Sequence, residues 1–148
     1  MGVNIYMSKI LVAGGRKFGE FSYRVKSGDR WEEIQRDYEQ AKAERILLNA
    51  VLIIAKPTFI VQGTANGADR MAVLWANKNG VAHSGDKYKP DWEGRGLKAG
   101  TERNRFMLKD NPDIDYIIAF DGGSGTENMK FEARKRGLFV SEPTIIKT

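Results

Sequence analysis

Cysteine is absent from the 148 residues, which excludes a disulfide scaffold, a cysteine-ligated metal site and thiol catalysis. Histidine occurs once, at His83, which argues against a histidine-rich metal centre and against a serine-type triad. No metal site and no cofactor is expected. Proline is scarce, at four residues, so collagen-like and low-complexity chains are excluded. No apolar run approaches the ~20 residues a membrane span needs, and Met1 to Lys9 carries no cleavage pattern. Gly2 stands where a myristoylated glycine would, but Tyr6 occupies the position that requires Ser or Thr. A cytoplasmic protein without a membrane partner is the expectation.

Hydrophobic residues make up 41% of the chain and include three Trp, five Tyr and seven Phe, enough to bury a core. The length suits one domain over residues 1–148. Net charge is +5, and residues 1–30 hold six basic side chains against two acidic ones. Such a patch suits an anionic ligand or a nucleic-acid backbone, but on charge alone a plain basic surface is the favoured reading. The sixteen glycines cluster, which points to functional loops.

Strands and helices alternate along the chain. Ile10 to Ala13 reads as a buried strand entering a tight loop at Gly14-Gly15. Residues 19–29 read as a short hairpin or excursion. Trp31, Ile34, Tyr38 and Ala41 are spaced as one helix face, so a helix is expected from near Asp29 to about Ala55, ended by Lys56-Pro57. Thr58 to Gln62 is a second strand, closed by Gly63. Ala68, Met71, Ala72 and Trp75 mark a second helix stopping at Gly80. Val81 to Ser84 is a third strand, and residues 85–100 form a long loop. Thr101 is the expected N-cap of a helix ending before Asn111-Pro112. Tyr116 to Phe120 is the clearest buried strand, followed by a helix to Arg136, a strand at Leu138 to Val140 and a tail strand at Ile145-Ile146. Repeated strand–loop–helix units imply the α/β class, a mainly parallel sheet with helices on both faces. Ligands of such sheets bind at the carboxyl ends of the strands. Gly14-Gly15, Gly63 to Gly67 and Gly122 to Gly125 each follow a strand, so all three should share one edge.

Gly122, Gly123, Ser124, Gly125 and Thr126 lie between a strand and a helix. Glycine lets backbone N–H groups approach an oxyanion, the helix N-terminus adds positive charge, and Thr126 adds a donor. The alternative is a turn needed only for its geometry; the two companion loops favour phosphate binding. It is not a Walker loop, and Gly14-Gly15-Arg16 lacks the third glycine of the dinucleotide fingerprint. Arg16 can fork onto a phosphate or be a solvated loop residue. Gly63, Thr64 and Gly67 form the second loop. Asp69 reads mainly as a helix cap, with ribose binding the lesser reading. Arg103 can meet a carboxylate or phosphate and Asn104 a base or sugar; both also fit a charged helix face. Trp92 can stack on a base or anchor its loop. His83 reads as a surface residue.

Taken together, these segments resemble the YpsA-related branch of the SLOG superfamily, small Rossmann-like proteins common in phages and bacteria. The resemblance runs from Gly14-Gly15-Arg16-x-Phe18 through Gln62-Gly63-x-x-x-Gly67-Ala68-Asp69-x-x-Ala72. It continues with Asp91-Trp92-x-x-x-Gly96-x-x-Ala99-Gly100-x-x-Arg103-Asn104-x-x-Met107 and ends at Ala119-Phe120-x-Gly122-Gly123-x-Gly125-Thr126. Residues 19–29 look like an insertion. The superfamily includes the Lonely Guy phosphoribohydrolases and the DNA-processing protein A family. The resemblance implies a Rossmann-like domain that binds a nucleotide or ADP-ribose-like ligand, with the third loop on phosphate. It also implies self-association as a homodimer, for which Trp31, Tyr38 and Trp75 are available. In Lonely Guy enzymes a catalytic Glu stands where this chain has Met129, and their catalytic Arg matches Arg103. Glu127 is offset by two residues and turned by about 200° on the helix. Binding, as a sensor or sequestering protein, is therefore expected ahead of N-glycosidic hydrolysis. A single-stranded nucleic-acid module comes third, since long basic runs are missing.

Overall fold

The structure is a computed structural model that describes residues 8–145, apart from the side chain of Leu97. Among these residues five parallel strands form one sheet. In chain order they are β1 (Lys9–Ala13), β4 (Phe59–Val61), β5 (Ala82–His83), β6 (Tyr116–Ala119) and β7 (Val140–Ser141). Their spatial order is β5-β4-β1-β6-β7. β1 is central, with Ile10 beside Ile60 on one flank and beside Tyr116 on the other. The order reverses between β1 and β6, the place where an open parallel sheet leaves a crevice at its carboxyl edge.

Alternation along the strands builds two cores. Ile10, Val12, Ile60, Ile118 and Phe120 pack under α1 (Tyr38–Ala55) and α2 (Ala68–Asn79). Leu11, Ala13, Val61, Ile117 and Ala119 pack on the opposite face. There they meet Met107 and Leu108 of α4 (Ala99–Asp110) and Met129 and Ala133 of α5 (Ser124–Lys135). The fold is α/β and Rossmann-like, as the sequence predicts.

Several local expectations are corrected. The helix expected from Asp29 begins at Tyr38, with Asp37 capping it by accepting the Gln40 N–H at 3.0 Å. Residues before it form an antiparallel ribbon, β2 (Ser22–Ser27) and β3 (Arg30–Gln35), turning at Gly28 with φ +62°. Cross-strand pairing places Trp31 opposite Lys26 and Ile34 opposite Tyr23, so the two lie on opposite ribbon faces. Within the expected loop 85–100, Trp92–Arg95 is a short helix, α3, and Gly96–Lys98 a 3₁₀ turn. Thr101 is not the cap of α4, which starts two residues earlier; its hydroxyl donates to the Lys98 carbonyl at 3.0 Å. The last strand is Val140–Ser141 rather than Leu138 to Val140, and Ile145 is not in a strand. Ile146 and the Gly2 signal lie outside the described residues. Trp75 belongs to the core, its indole N–H donating to Asn49 at 3.1 Å, so it is not free for a dimer surface. Trp31 and Tyr38 are exposed.

Candidate functional site

The three glycine-rich loops meet at the β1/β6 reversal, and their main chains are bonded to one another. The Gly15 N–H donates to the Asp121 carbonyl at 2.9 Å, joining the first loop to the third. The Ala68 N–H donates to the Gly15 carbonyl at 3.1 Å, joining the first to the second. Glycine is required where they touch. A side chain on Gly67 would run into the Gly15 carbonyl, and Gly67 has φ +78° besides. One on Gly122 would run into the Thr126 hydroxyl.

A cleft of about 820 Å³ opens between these loops. Gly14, Gly15, Arg16, Gly63, Asp69, Trp92, Arg103, Asn104 and the whole run Gly122 to Thr126 line it. Of the sequence-predicted residues, Thr64 and Gly67 stand outside its lining; Thr64 is in the second loop with φ +69°. Thr126 is buried beneath Gly122, whereas Gly123, Ser124 and Gly125 are exposed. Gly123 is the N-cap of α5 and brings no side chain, so the first-turn N–H groups have no side-chain acceptor.

Asp69 does not cap α2. That place is taken by Gly67, and the Asp69 carboxylate instead accepts the Ala65 N–H at 3.1 Å, holding the second loop. Burial pushes its pKa up to about 6, against the opposing pull of the Ala65 N–H and the Arg103 charge. Arg103 is turned inward: its guanidinium donates to the Gly63 carbonyl and, at 2.9 Å, to the Asn104 side chain. Burial lowers the Arg103 pKa, nearby Asp69 raises it and Arg16 lowers it further. The Asn104 amide is spent within the protein, donating to the Gly125 carbonyl at 3.2 Å and to Asn128 at 3.0 Å. It thereby ties α4 to the start of α5. The expected Lonely Guy position, Met129, is buried at the cleft, and Glu127 points away, paired with Lys130 at 2.6 Å.

Three residues without a sequence signal complete the surroundings. Glu20 bridges the first two loops, accepting the Gly67 N–H at 2.8 Å and pairing with Arg70 at 2.7 Å. Arg36 and Glu44 form a forked pair at 2.7 and 3.2 Å on the far wall of the cleft. Burial pushes the Glu44 carboxyl up, but the Arg36 guanidinium and the Gly19 N–H outweigh it and hold it below the usual range. Arg36 lies in the stretch whose spacing predicts helix, and in the structure it sits just before Asp37, the cap of α1. Glu20 sat in the apparent insertion.

The YspA, cpYpsA-related SLOG family matches residues 8–94, more than half of the chain, through the first two loops as far as Trp92. The chain belongs to this family. This SLOG protein is similar to the Gene 61 protein of Mycobacterium phage D29, at 33% identity over 84 residues. The alignment covers 55% of this chain and 67% of the phage protein. A crystal structure of TM1055, a Northeast Structural Genomics Consortium target, has the same fold. It matches with a TM-score of 0.59 over 90% of this chain and 72% of its own, at 17% identity. The SLOG assignment supports a nucleotide-related function. Among the described residues no helix is long and apolar enough to cross a membrane.

Proposed function

We propose that this SLOG protein binds a nucleotide or ADP-ribose-like ligand in the cleft, as a sensor or sequestering protein, with phosphate held on Gly123 to Gly125. The observation that carries this reading is the uncapped start of α5. It opens on a cleft at the sheet's reversal point, with no protein atom within 4 Å of where a side chain on Gly123 or Gly125 would begin. Main-chain N–H groups without internal acceptors and the positive end of a helix are what an anion requires.

Gly123→Val is the sharpest test. Gly123 has φ −101° and open space above it, so the variant should fold like the parent, with stability changed by less than about 0.5 kcal/mol. The branched side chain would occupy the place of the phosphate. Calorimetry with nucleoside monophosphates and ADP-ribose should show binding weakened by more than tenfold, about 1.4 kcal/mol. A folded variant that binds as tightly as the parent removes the phosphate reading.

A second reading, N-glycosidic hydrolysis, is favoured by one observation: the buried Asp69 carboxyl, with its pKa pushed up to about 6, lies in the same cleft as Arg103. Asp69 would give its proton to the base as the C1′–N bond breaks, and its carboxylate would then take a proton from the water whose oxygen bonds to C1′. Release of free base from a nucleoside monophosphate, abolished in Asp69→Asn, would support it.

A further inference from the structure

We propose that Arg16 and Trp92 form a latch that selects ligands carrying a phosphate and a flat aromatic ring together. The inference rests on the phosphate reading above and adds the ligand's second recognition element.

Trp92 is half-exposed at the cleft wall, an unusual place for the largest apolar side chain. Its position is fixed by its neighbours. Asp91 caps the short helix α3 by accepting the Gly94 N–H at 2.9 Å. The indole lies against α4 so closely that a side chain on Gly100 would begin 3.3 Å from its edge. The Arg16 guanidinium lies 5.2 Å from the ring centroid, within cation–π range. Arg16 follows Gly15, whose N–H is bonded to the third loop, so Arg16 is anchored beside the proposed phosphate position. Arg103 lies close enough to feel the charge of Arg16. The buried Asp69 carboxylate faces both cations, but Arg103 already lies against it and is bonded to the Gly63 carbonyl, which leaves the Arg16 guanidinium out over the indole.

A phosphate on the third loop reverses that preference by drawing the guanidinium inward, where it can donate a forked pair of hydrogen bonds. The indole face is then bare, and a flat ring from the same ligand can cover it by stacking. A phosphate without a ring leaves the indole uncovered. A ring without a phosphate must displace Arg16 and gives it no new partner. A ligand with both groups therefore binds more tightly than its two halves suggest.

The test compares adenosine 5′-monophosphate, adenosine and ribose 5-phosphate by calorimetry, repeated with the guanine, cytosine and uracil counterparts. The proteins are the parent, Arg16→Ala and Trp92→Ala, each checked for folding by circular dichroism. Arg16→Ala should weaken the monophosphate about tenfold or more. The same change should tighten the free nucleoside by roughly two- to fivefold, because the ring no longer has to displace the cation. Trp92→Ala should reduce the monophosphate to the affinity of ribose 5-phosphate. The latch is overturned if Arg16→Ala fails to tighten any nucleoside, or if Trp92→Ala leaves the preference for monophosphate over ribose 5-phosphate intact. Ribose 5-phosphate binding as tightly as every monophosphate would also overturn it, while leaving the phosphate reading in place. Binding of nucleosides and monophosphates with equal affinity would remove the phosphate reading, and the latch with it. No binding by any of these probes would overturn both.

Discussion

Two helices begin at the cleft edge directly after a glycine-rich loop, and they differ in what stands at their N-termini. α2 begins at Gly67, whose N–H already holds the Glu20 carboxylate at 2.8 Å. Its glycine is wedged against the main chain of Gly15 and Arg16. α5 has Gly123 as its N-cap, with no side-chain cap bond and open space around it. The first N-terminus is filled by an anion from the chain itself. The second has the same donors and no internal acceptor. The same local sequence pattern, strand–glycine loop–helix, thus serves a structural junction in one place and the candidate ligand site in the other. Crowding around the glycine separates the two uses more clearly than the glycine does.

Substitutions at the α2 junction should break this contrast in a graded way. Gly67→Ala carries the largest penalty. The new methyl group meets backbone atoms of the first loop, and φ +78° is strained for any side chain. A loss of more than about 3 kcal/mol is expected in urea unfolding; a variant as stable as the parent would mean the two loops can separate freely. Next comes Asp69 in the first turn of α2. Its native pKa is raised from 3.8 to about 6 by burial, so the folded state binds the proton more tightly than the unfolded state. That contribution is complete below pH 3.8 and is lost as pH rises through about 6. Asp69→Asn keeps an acceptor for the Ala65 N–H and should be the more stable protein at pH 7, by on the order of 2 kcal/mol. Thermal melts between pH 4 and 7 check it, and parallel curves for parent and variant would contradict it. The smallest effect belongs to Glu20→Gln. It keeps an acceptor for Gly67 but loses the charge that faces Arg70 and the helix end. Because Arg70 is half-exposed, about 1 kcal/mol or less is expected, shrinking further in high salt.

The strands and the meeting of the three loops were legible because they depend on local chemistry. Runs such as Ile10 to Ala13 and Tyr116 to Ala119 are apolar on both faces, as a buried parallel strand demands. The glycines then mark which end of the strand is the site. The ribbon was half legible: a hairpin or excursion is expected over 19–29, where β2 lies, but β3 falls in the stretch expected to be helix. Trp31, Ile34, Tyr38 and Ala41 are spaced as a helix face, while Trp31 and Ile34 pair across a Gly28-Asp29 turn and only Tyr38 and Ala41 lie in the helix. Spacing alone does not choose between those periods. Site residues failed to be legible wherever their partner was distant in sequence. Arg103 and Asn104 occupy the cleft as expected, yet which way the guanidinium turns is decided by the Gly63 carbonyl, forty residues away. Asp69 has the composition of a helix cap but lies inside the first turn, because Gly67 alone fits the crowded junction.

The ribbon also has an engineering consequence. Its two ends are already closed on each other, the Arg36 N–H donating to the Phe21 carbonyl at 2.9 Å. Phe21 and Tyr38 stack at that closure with ring centroids 5.1 Å apart, and Arg36 fastens it to Glu44. Beyond that closure the arm pairs with no strand of the five-stranded sheet, and its Tyr23 ring meets Lys17 of the cleft, whose Nζ lies 4.2 Å from the ring centroid. A tight two-residue linker could replace residues 22–35 while the closure and the cleft wall stay in place. Conversely, the turn at Gly28-Asp29 is a port for a peptide tag or reporter domain, since a side chain on Gly28 would meet no protein atom within 4 Å.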